Sequence, residues 1–476
     1  MALQYDTPVS KTAFVAALDA NPSISATTLD AINSVLGLDT AESLVVAGWD
    51  GQGAVVAPVG QVPDVLAISI DGTTATTLEL PAGTEDTKVI VIESDAGVTL
   101  TVGEEAAASA RLFAADATVA ADATAAAGGI AQVIVGGNGN DTLTVNGSTN
   151  VLLDGGNGND ILTTGSGNDV IIAGTGVNTI SAGAGDDTIV VGKGIDTVNA
   201  GDGFDTIQVE GNSANFTATA AGGSLVLTGT GGVSATVTDA EFVSFADGKT
   251  LAVVGTEEEA EALSLYQALL GRDVDAGGAA NFTAQVQSGT SVTEIAQSFL
   301  TSDEHFSNLR ADFLTDVYSS LLGREVDATG AATWQAQFEA GATRGEVIGA
   351  IAASDEAASL SDEDFVSALY TAALGRDAEE AGLNNWVSLL ASGTSRTEVA
   401  DTIYASTESN TKINTDFVDS LFTNAFGADT NELAKDFAVK ALDGGSVTQA
   451  DVVIAVIGQP EAQDHITNVI VVPGAV

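Results

Sequence analysis

Between residues 136 and 208 inward-reading aliphatic positions recur at an interval of nine, each set among polar or small residues. Written from Gly155, the copies read GGNGNDILT, TGSGNDVII, AGTGVNTIS, AGAGDDTIV, VGKGIDTVN and AGDGFDTIQ. An earlier copy, GGNGNDTLT, starts at Gly136, and a ten-residue degenerate unit from Val145 to Asp154 separates it from the run. The last three residues of each copy predict a short strand with one inward aliphatic: Leu143, Leu162, Ile171, Ile180, Ile189, Val198 and Ile207. The glycines permit positive φ and close backbone approach. The sixth position of these copies is Asp, a hard oxygen donor, except at Asn178. Two units make one flattened coil, so carboxylates on one side recur every 18 positions and can share a cation. A flexible Gly/Asp linker keeps no such aliphatic spacing. The pattern predicts a parallel β-roll.

The flanks change texture. Residues 1–45 predict two short helices, around Ser10–Leu18 and Thr27–Leu36, with Ser25 or Thr28 capping the second. Over 46–130 the runs VLAISI, TTLEL, KVIVIES and VTLTV predict strands with DG, PAG and DAG at the turns. Metal-free coils are one reading of this β-rich region. Two readings stand for its Ala/Thr/Asp-rich end, Ala106–Ala127: further coils, suggested by Leu112, Val119 and Thr124, or a loose connector. With the roll placed at 131–210, residues 211–256 predict a β-cap from NFTATAAG, SLVLTGTG, VSATVTD and EFVSFADGKTLAVV. Such a cap would cover the open end of a coil stack.

From residue 257 to 476 the pattern becomes helical and repeats every 52 residues. LYQALLGRDVDAGGAANF starts at Leu265, VYSSLLGREVDATGAATW at Val317, LYTAALGRDAEEAGLNNW at Leu369 and a weaker LFTNAFGADTNELAKDFA at Leu421. Leu265, Leu269 and Leu270 share one helical face, and Gly271 is placed to stop the helix. A second helix carries Phe282, Trp334 or Trp386. Capping boxes then open a third helix at Ser291–Glu294, Thr343–Glu346, Ser395–Glu398 and, out of register, Ser446–Gln449. The fourth unit lacks the Arg and the second-helix aromatic, as expected of the terminal cap of a repeat array.

Lys+Arg number 14 and Asp+Glu 65, a net charge of −51, which disfavours nucleic acid as a partner. The 45% hydrophobic content argues against wholesale disorder. Such acidity suits folding where divalent cations neutralise it. With no cysteine, disulfides and thiolate metal sites are excluded. No stretch approaches the roughly 18 apolar residues of a membrane span, and the N-terminal segment reads as no signal peptide.

Catalytic signatures are sparse. His305 and His465 form no H-E-x-x-H, and neither a G-x-S-x-G elbow nor a G-x-x-x-x-G-K-[ST] loop occurs. No pair among the 65 acids stands out for glycoside chemistry. Arg272, Arg324 and Arg376 recur after the helix-ending glycines, followed by Asp273, Glu325 and Asp377. A repeated partner or carbohydrate site is one reading. An Arg bonding the last carbonyls of its helix and a carboxylate of the next loop is the simpler one. Trp334 and Trp386 likewise read as core rather than sugar platforms.

The nonapeptides resemble those of RTX (repeat-in-toxin) proteins, exported by type I secretion from Gram-negative bacteria, and EFVSFADGKTLAV resembles the segment that closes such rolls. The L-Y-x-x-L-L-G-R pattern resembles a helical repeat domain that accompanies RTX rolls in bacterial surface-layer proteins. The resemblance implies Ca2+ held by Asp141, Asp160, Asp169, Asp187, Asp196 and Asp205. The turn glycines would add main-chain oxygens: Gly137, Gly139, Gly156, Gly158, Gly165, Gly167, Gly174, Gly176, Gly183, Gly185, Gly192, Gly194, Gly201 and Gly203. Asp169, Asp187 and Asp205 would form one complete edge, and Asp160, Asn178 and Asp196 a weaker one. The family's export signal lies at the extreme C-terminus, where ITNVIVVPGAV stands.

The expected fold is therefore multidomain, β plus α: a calcium-binding β-roll with its cap, then an all-α four-unit domain. The expected function is a non-enzymatic, secreted, calcium-dependent structural subunit of a Gram-negative cell surface, self-assembling as an S-layer or extracellular matrix. Its partners would be copies of itself and cell-surface polysaccharide. Two other classes remain: an RTX enzyme acting on polysaccharide, and a monomeric adhesin or carbohydrate-binding protein.

Overall fold

The computed structural model describes residues 7–20, 24–72, 74–82, 84, 87–102, 129–427 and 431–474. The stretch 106–127, with its two readings, lies outside them. Two compact units are present, one of Met1–Ala260, Asp273–Thr283 and Asn468–Val476, the other of Glu261–Arg272 and Ala284–Thr467.

In the first unit the chain alternates between two mainly parallel sheets, of eleven and nine strands among the described residues. The nonapeptide strands Val151–Asp154, Val170–Ile172, Thr188–Val191 and Thr206–Val209 enter the larger sheet. Thr142–Val145, Ile161–Thr163, Gly176–Ala184 and Gly194–Asp202 enter the smaller. Neighbours in the strict run are 18 residues apart, as in Ile171 opposite Ile189 and Ile180 opposite Val198. All seven predicted inward aliphatics are buried between the sheets, and each contributes on the order of 1.5–3 kcal/mol. Coils stack backbone on backbone. Gly176 sits at φ 119° with the Gly158 carbonyl where a Cβ would stand, so no other residue fits there.

The ladder extends beyond the repeats at both ends. Val46–Trp49, Val65–Ile70 and Val89–Ser94 continue the larger sheet, while Thr76–Leu78 and Val98–Val102 continue the smaller. At the other end, Ser234–Thr238 pairs in parallel with Gly194–Asp202, and Phe242–Phe245 with Thr206–Val209. These strands form one further coil, interrupted by the hairpin Phe216–Ala221/Ser224–Gly229. The C-terminal segment returns as a strand, Val469–Val471, parallel to Thr250–Val254.

The two outer faces differ. Helices α1 (Lys11–Asp19) and α2 (Ala26–Val35) cover the larger sheet. Phe14, Leu18 and Ile32 share one buried cluster with Val133, Val135, Leu152, Val170, Ile172 and Val190, and α2 lies directly against the strands Gln132–Val135 and Val151–Asp154. Those strands are buried on both faces and are mostly aliphatic, VLLD, VII and TIVV. Ser10 and Ser25 cap the helices. Thr28 is no cap: its hydroxyl donates to buried Asp154 at 2.5 Å. The smaller sheet presents Thr99, Thr142, Ile161, Thr179, Thr197 and Thr236 in one registered row across adjacent strands. A second row holds Thr101, Thr144, Thr163, Ser181, Asn199 and Thr238. Neither row contains a charged residue.

The helices follow the predicted triplets and lie in the second unit, except that most of Ala276–Gln287 belongs to the first. Gly271, Gly323 and Gly375 take the left-handed conformation at the helix ends. Capping boxes form at Ser291–Glu294, Thr343–Glu346 and Ser395–Glu398. The fourth is Thr448–Asp451, not Ser446–Gln449, because Thr448 places its hydroxyl and Asp451 its carboxylate across the first turn of Gln449–Ile457. The units do not run as an open array. Val292–Leu300 of the first packs on Gln449–Ile457 of the fourth, and Arg344–Ala352 of the second on Arg396–Tyr404 of the third. The terminal-cap expectation gives way to a closed arrangement, which buries the third helices pairwise.

Phe14 is fully buried against the coils it covers. Phe14→Ala should therefore lower stability by about 3–5 kcal/mol. Chemical unfolding of the calcium-loaded protein measures this, and an unchanged midpoint would show that α1 does not support the roll.

Candidate metal centre

The turns between strands align the sixth-position side chains in two columns. In the first, the Val151 N–H donates to Asp169 Oδ1 at 2.8 Å, Asp169 N–H to Asp187 Oδ1 at 2.6 Å, and Asp187 N–H to Asp205 Oδ1 at 2.7 Å. In the second, Val98 N–H donates to Asp141 Oδ1 at 2.7 Å, Asp141 N–H to Asp160 Oδ1 at 2.8 Å, and Asp160 N–H to Asn178 Oδ1 at 2.9 Å. Asn178 Nδ2 continues it by donating to Asp196 Oδ1 at 2.9 Å. Each side chain is thus fastened to its neighbouring coil through one oxygen.

The other oxygen has no partner. Oδ2 of Asp160, Asp169, Asp187, Asp196 and Asp205 is buried and accepts no hydrogen bond. Burial pushes Asp169 and Asp196 up to about 6, Asp160 and Asp187 to about 7, and Asp205 to about 8. Neighbouring carboxylates add to the rise at Asp160, Asp187 and Asp205. Asp141 differs, because its Oδ2 accepts from Gly137 N–H at 3.0 Å. Both its oxygens are occupied by the main chain.

Orphaned, buried, acceptor-only oxygens in a row are a donor set for a hard cation. Among the described residues no three Asp, Glu, His or Cys side chains gather as a cage. Calcium takes about six to eight oxygens, including main-chain carbonyls and water, so paired carboxylates and turn carbonyls suit it. The residues fit the ion. Residues 127–153, 154–189 and 190–211 match the family model of the RTX calcium-binding nonapeptide repeat. The RTX repeats bind Ca2+ and are typical of secreted proteins. No curated protein matches the chain.

The turn glycines follow the columns. Gly137, Gly139, Gly156, Gly158, Gly174, Gly176 and Gly194 stack on one side, and Gly165, Gly167, Gly183, Gly185, Gly201 and Gly203 on the other. Gly192 leaves its stack and lies against Glu210, which pairs with Lys193 at 2.8 Å. Sequence reasoning missed Glu241, which accepts from Asp205 N–H at 2.7 Å. It also missed Asp154, raised to about 6 by burial beneath α2.

Residues 255–309, 306–360 and 357–413 match a domain of unknown function, DUF4214, and the weak fourth unit lies mostly beyond the match. Its recurrent Arg is structural. Arg272 grips Glu304 through Nε at 2.6 Å and Nη2 at 2.9 Å, Arg324 grips Glu356 at 2.5 and 2.7 Å, and Arg376 grips Glu408 likewise. Each guanidinium also lies over a tyrosine ring: Tyr266, Tyr318 or Tyr370. The partner glutamates, 32 residues on, were not foreseen. Trp334 and Trp386 pack against the core, with Nε1 donating to the Tyr318 and Tyr370 hydroxyls. Among the described residues no helix is long and apolar enough to cross a membrane.

Two outcomes follow from the carboxylates. In calcium-free protein the folded columns bind protons more tightly than the unfolded chain, with values near 6–8 against 3.8 for a free aspartate. That stabilisation is complete below the unfolded value and disappears as pH rises through the folded ones, so the calcium-free roll should melt higher at about pH 5 than at about pH 8. Millimolar calcium should reverse the order, since the ion competes with protons for the same oxygens. Melting curves at the two pH values, with and without calcium, test the sign.

The second concerns Asn178, whose amide pins Asp196. Asn178→Asp removes that donor and adds a buried charge. The variant should be less stable without calcium and bind calcium more tightly. Calorimetric titration showing unchanged or weaker affinity would separate Asn178 from the metal column.

Proposed function

We propose that this protein is a calcium-folded structural subunit of a bacterial cell surface, an S-layer or extracellular-matrix component that assembles from copies of itself. The observation that carries the reading is the bare threonine face. A chain of charge −51 repels its own copies, yet one face of the roll presents two registered rows without a single charge. Thr99, Thr179, Thr197 and Thr236 are exposed there. Contact between copies costs least charge repulsion across such a face. Its flat array of methyls and hydroxyls supplies both apolar area and hydrogen bonds. The opposite face is occupied by α1 and α2, which leaves the threonine face for partners.

Calcium would enter through the columns. Asp160, Asp169, Asp187, Asp196 and Asp205 would supply the side-chain oxygens, and carbonyls of the stacked glycines the remainder. Calcium scarcity inside the cell would keep the roll unfolded for export, and external calcium at roughly 0.1–1 mM would fold it. Anchoring at the surface would then fall to the helical unit, whose closed arrangement offers less extended surface than an open array.

The same hydroxyl rows suit a neutral polysaccharide, the second reading. Negative-stain imaging and light scattering of the full chain in millimolar calcium separate the two. Ordered particles that vanish on Thr179→Glu with Thr197→Glu, while the calcium-induced β signal persists, support assembly through this face. A monomer at every calcium concentration that sediments with insoluble neutral polysaccharide would replace the subunit reading with the adhesin one.

A further inference from the structure

The column Asp169–Asp187–Asp205 does not end with the repeats. Asp205 N–H donates to Glu241 Oε2 at 2.7 Å, as Asp187 N–H donates to Asp205 Oδ1 at 2.7 Å one coil earlier. Thr206 is registered on Phe242, so Glu241 stands one coil below Asp205. The main chain holds it there, with Glu241 N–H donating to the Asp205 carbonyl and Val253 N–H to the Glu241 carbonyl at 2.8 Å. The turn imitates the repeat as well. Two residues before Asp205, Gly203 has φ 150°. Two residues before Glu241, Asp239 has φ 56°, the only non-glycine at positive φ among the described residues.

The other column stops. Asp196 is registered on Ala235, which has no ligand to offer. Only one edge of the cap therefore carries a carboxylate, and it lies outside residues 127–211 that match the repeat family.

Asp205 is fully buried and its Oδ2 has no partner. A hydrogen-bond acceptor for its N–H could be a neutral glutamine. Placing a second carboxylate against a buried one is costly unless a cation lies between them. We propose that Glu241 and Asp205 hold a calcium ion at the cap end of the roll, one site beyond those of the nonapeptides. The inference rests on the reading that the column carboxylates ligate calcium. The site joins the last repeat coil to the strand Phe242–Phe245, so the ion fastens the cap onto the roll.

The experiment uses the full chain, stripped of calcium and titrated with calcium alone in a calorimeter, beside Glu241→Gln. Glutamine keeps the acceptor for Asp205 N–H and removes the charge. The variant should bind one ion fewer, or one ion at least about tenfold more weakly, with the remaining sites unchanged. Its melting temperature should match or exceed the wild type without calcium and fall below it in millimolar calcium. Superimposable titrations would overturn the site. So would an equal loss of melting temperature, or of folding, with and without calcium, which would mark Glu241 as a purely structural acceptor. Wild-type protein that takes up no calcium would instead remove the reading beneath it.

Discussion

A buried carboxylate with one oxygen tied and one free is the constraint around which the roll is organised. Each column side chain accepts a main-chain N–H from the coil before it, which fixes its direction and the coil spacing. The unpartnered Oδ2 atoms then face one another's charge in a low-dielectric strip. Without cation or proton that arrangement is unfavourable. Under the proposed reading, calcium would turn the same oxygens into cross-links between coils. The aliphatic ladder between the two sheets forms the buried core of the roll.

The coils also serve as a platform. α1 and α2 have too few residues to be stable alone, and their apolar face is buried only on strands that exist once the coils have stacked. The Thr28–Asp154 hydrogen bond adds a polar lock inside this contact. Order in the N-terminal segment is therefore downstream of order in the roll. The roll thus has one sheet covered by helices, while the other presents two registered rows free of charge.

The helical unit solves a different problem. Its triplets bury Leu, Val and Tyr positions between helices, while Arg324 and its equivalents clamp a glutamate 32 residues on and cover a tyrosine ring. These pairs are partly exposed, so water screens their attraction and each adds little to stability. Third helices then meet in pairs, first with fourth and second with third, which closes the set.

The periodicities were legible in the chain itself. A nine-residue unit with one inward aliphatic admits only a coil of two short strands, and the 18-residue recurrence of Asp places carboxylates in line whatever the remaining contacts. The helix starts at Ser10, Ser25 and Ser291 and the stops at Gly271, Gly323 and Gly375 were legible for the same reason: caps are local chemistry. Only the tertiary structure decided that α1 and α2 are the cover, that Glu241 continues the Asp205 column across 36 residues, that Val469–Val471 returns to the sheet, and that the fourth helical unit meets the first. A local period specifies how a chain repeats. Contacts between distant, unrepeated segments carry no period and depend on surfaces that appear only after the repeats have folded.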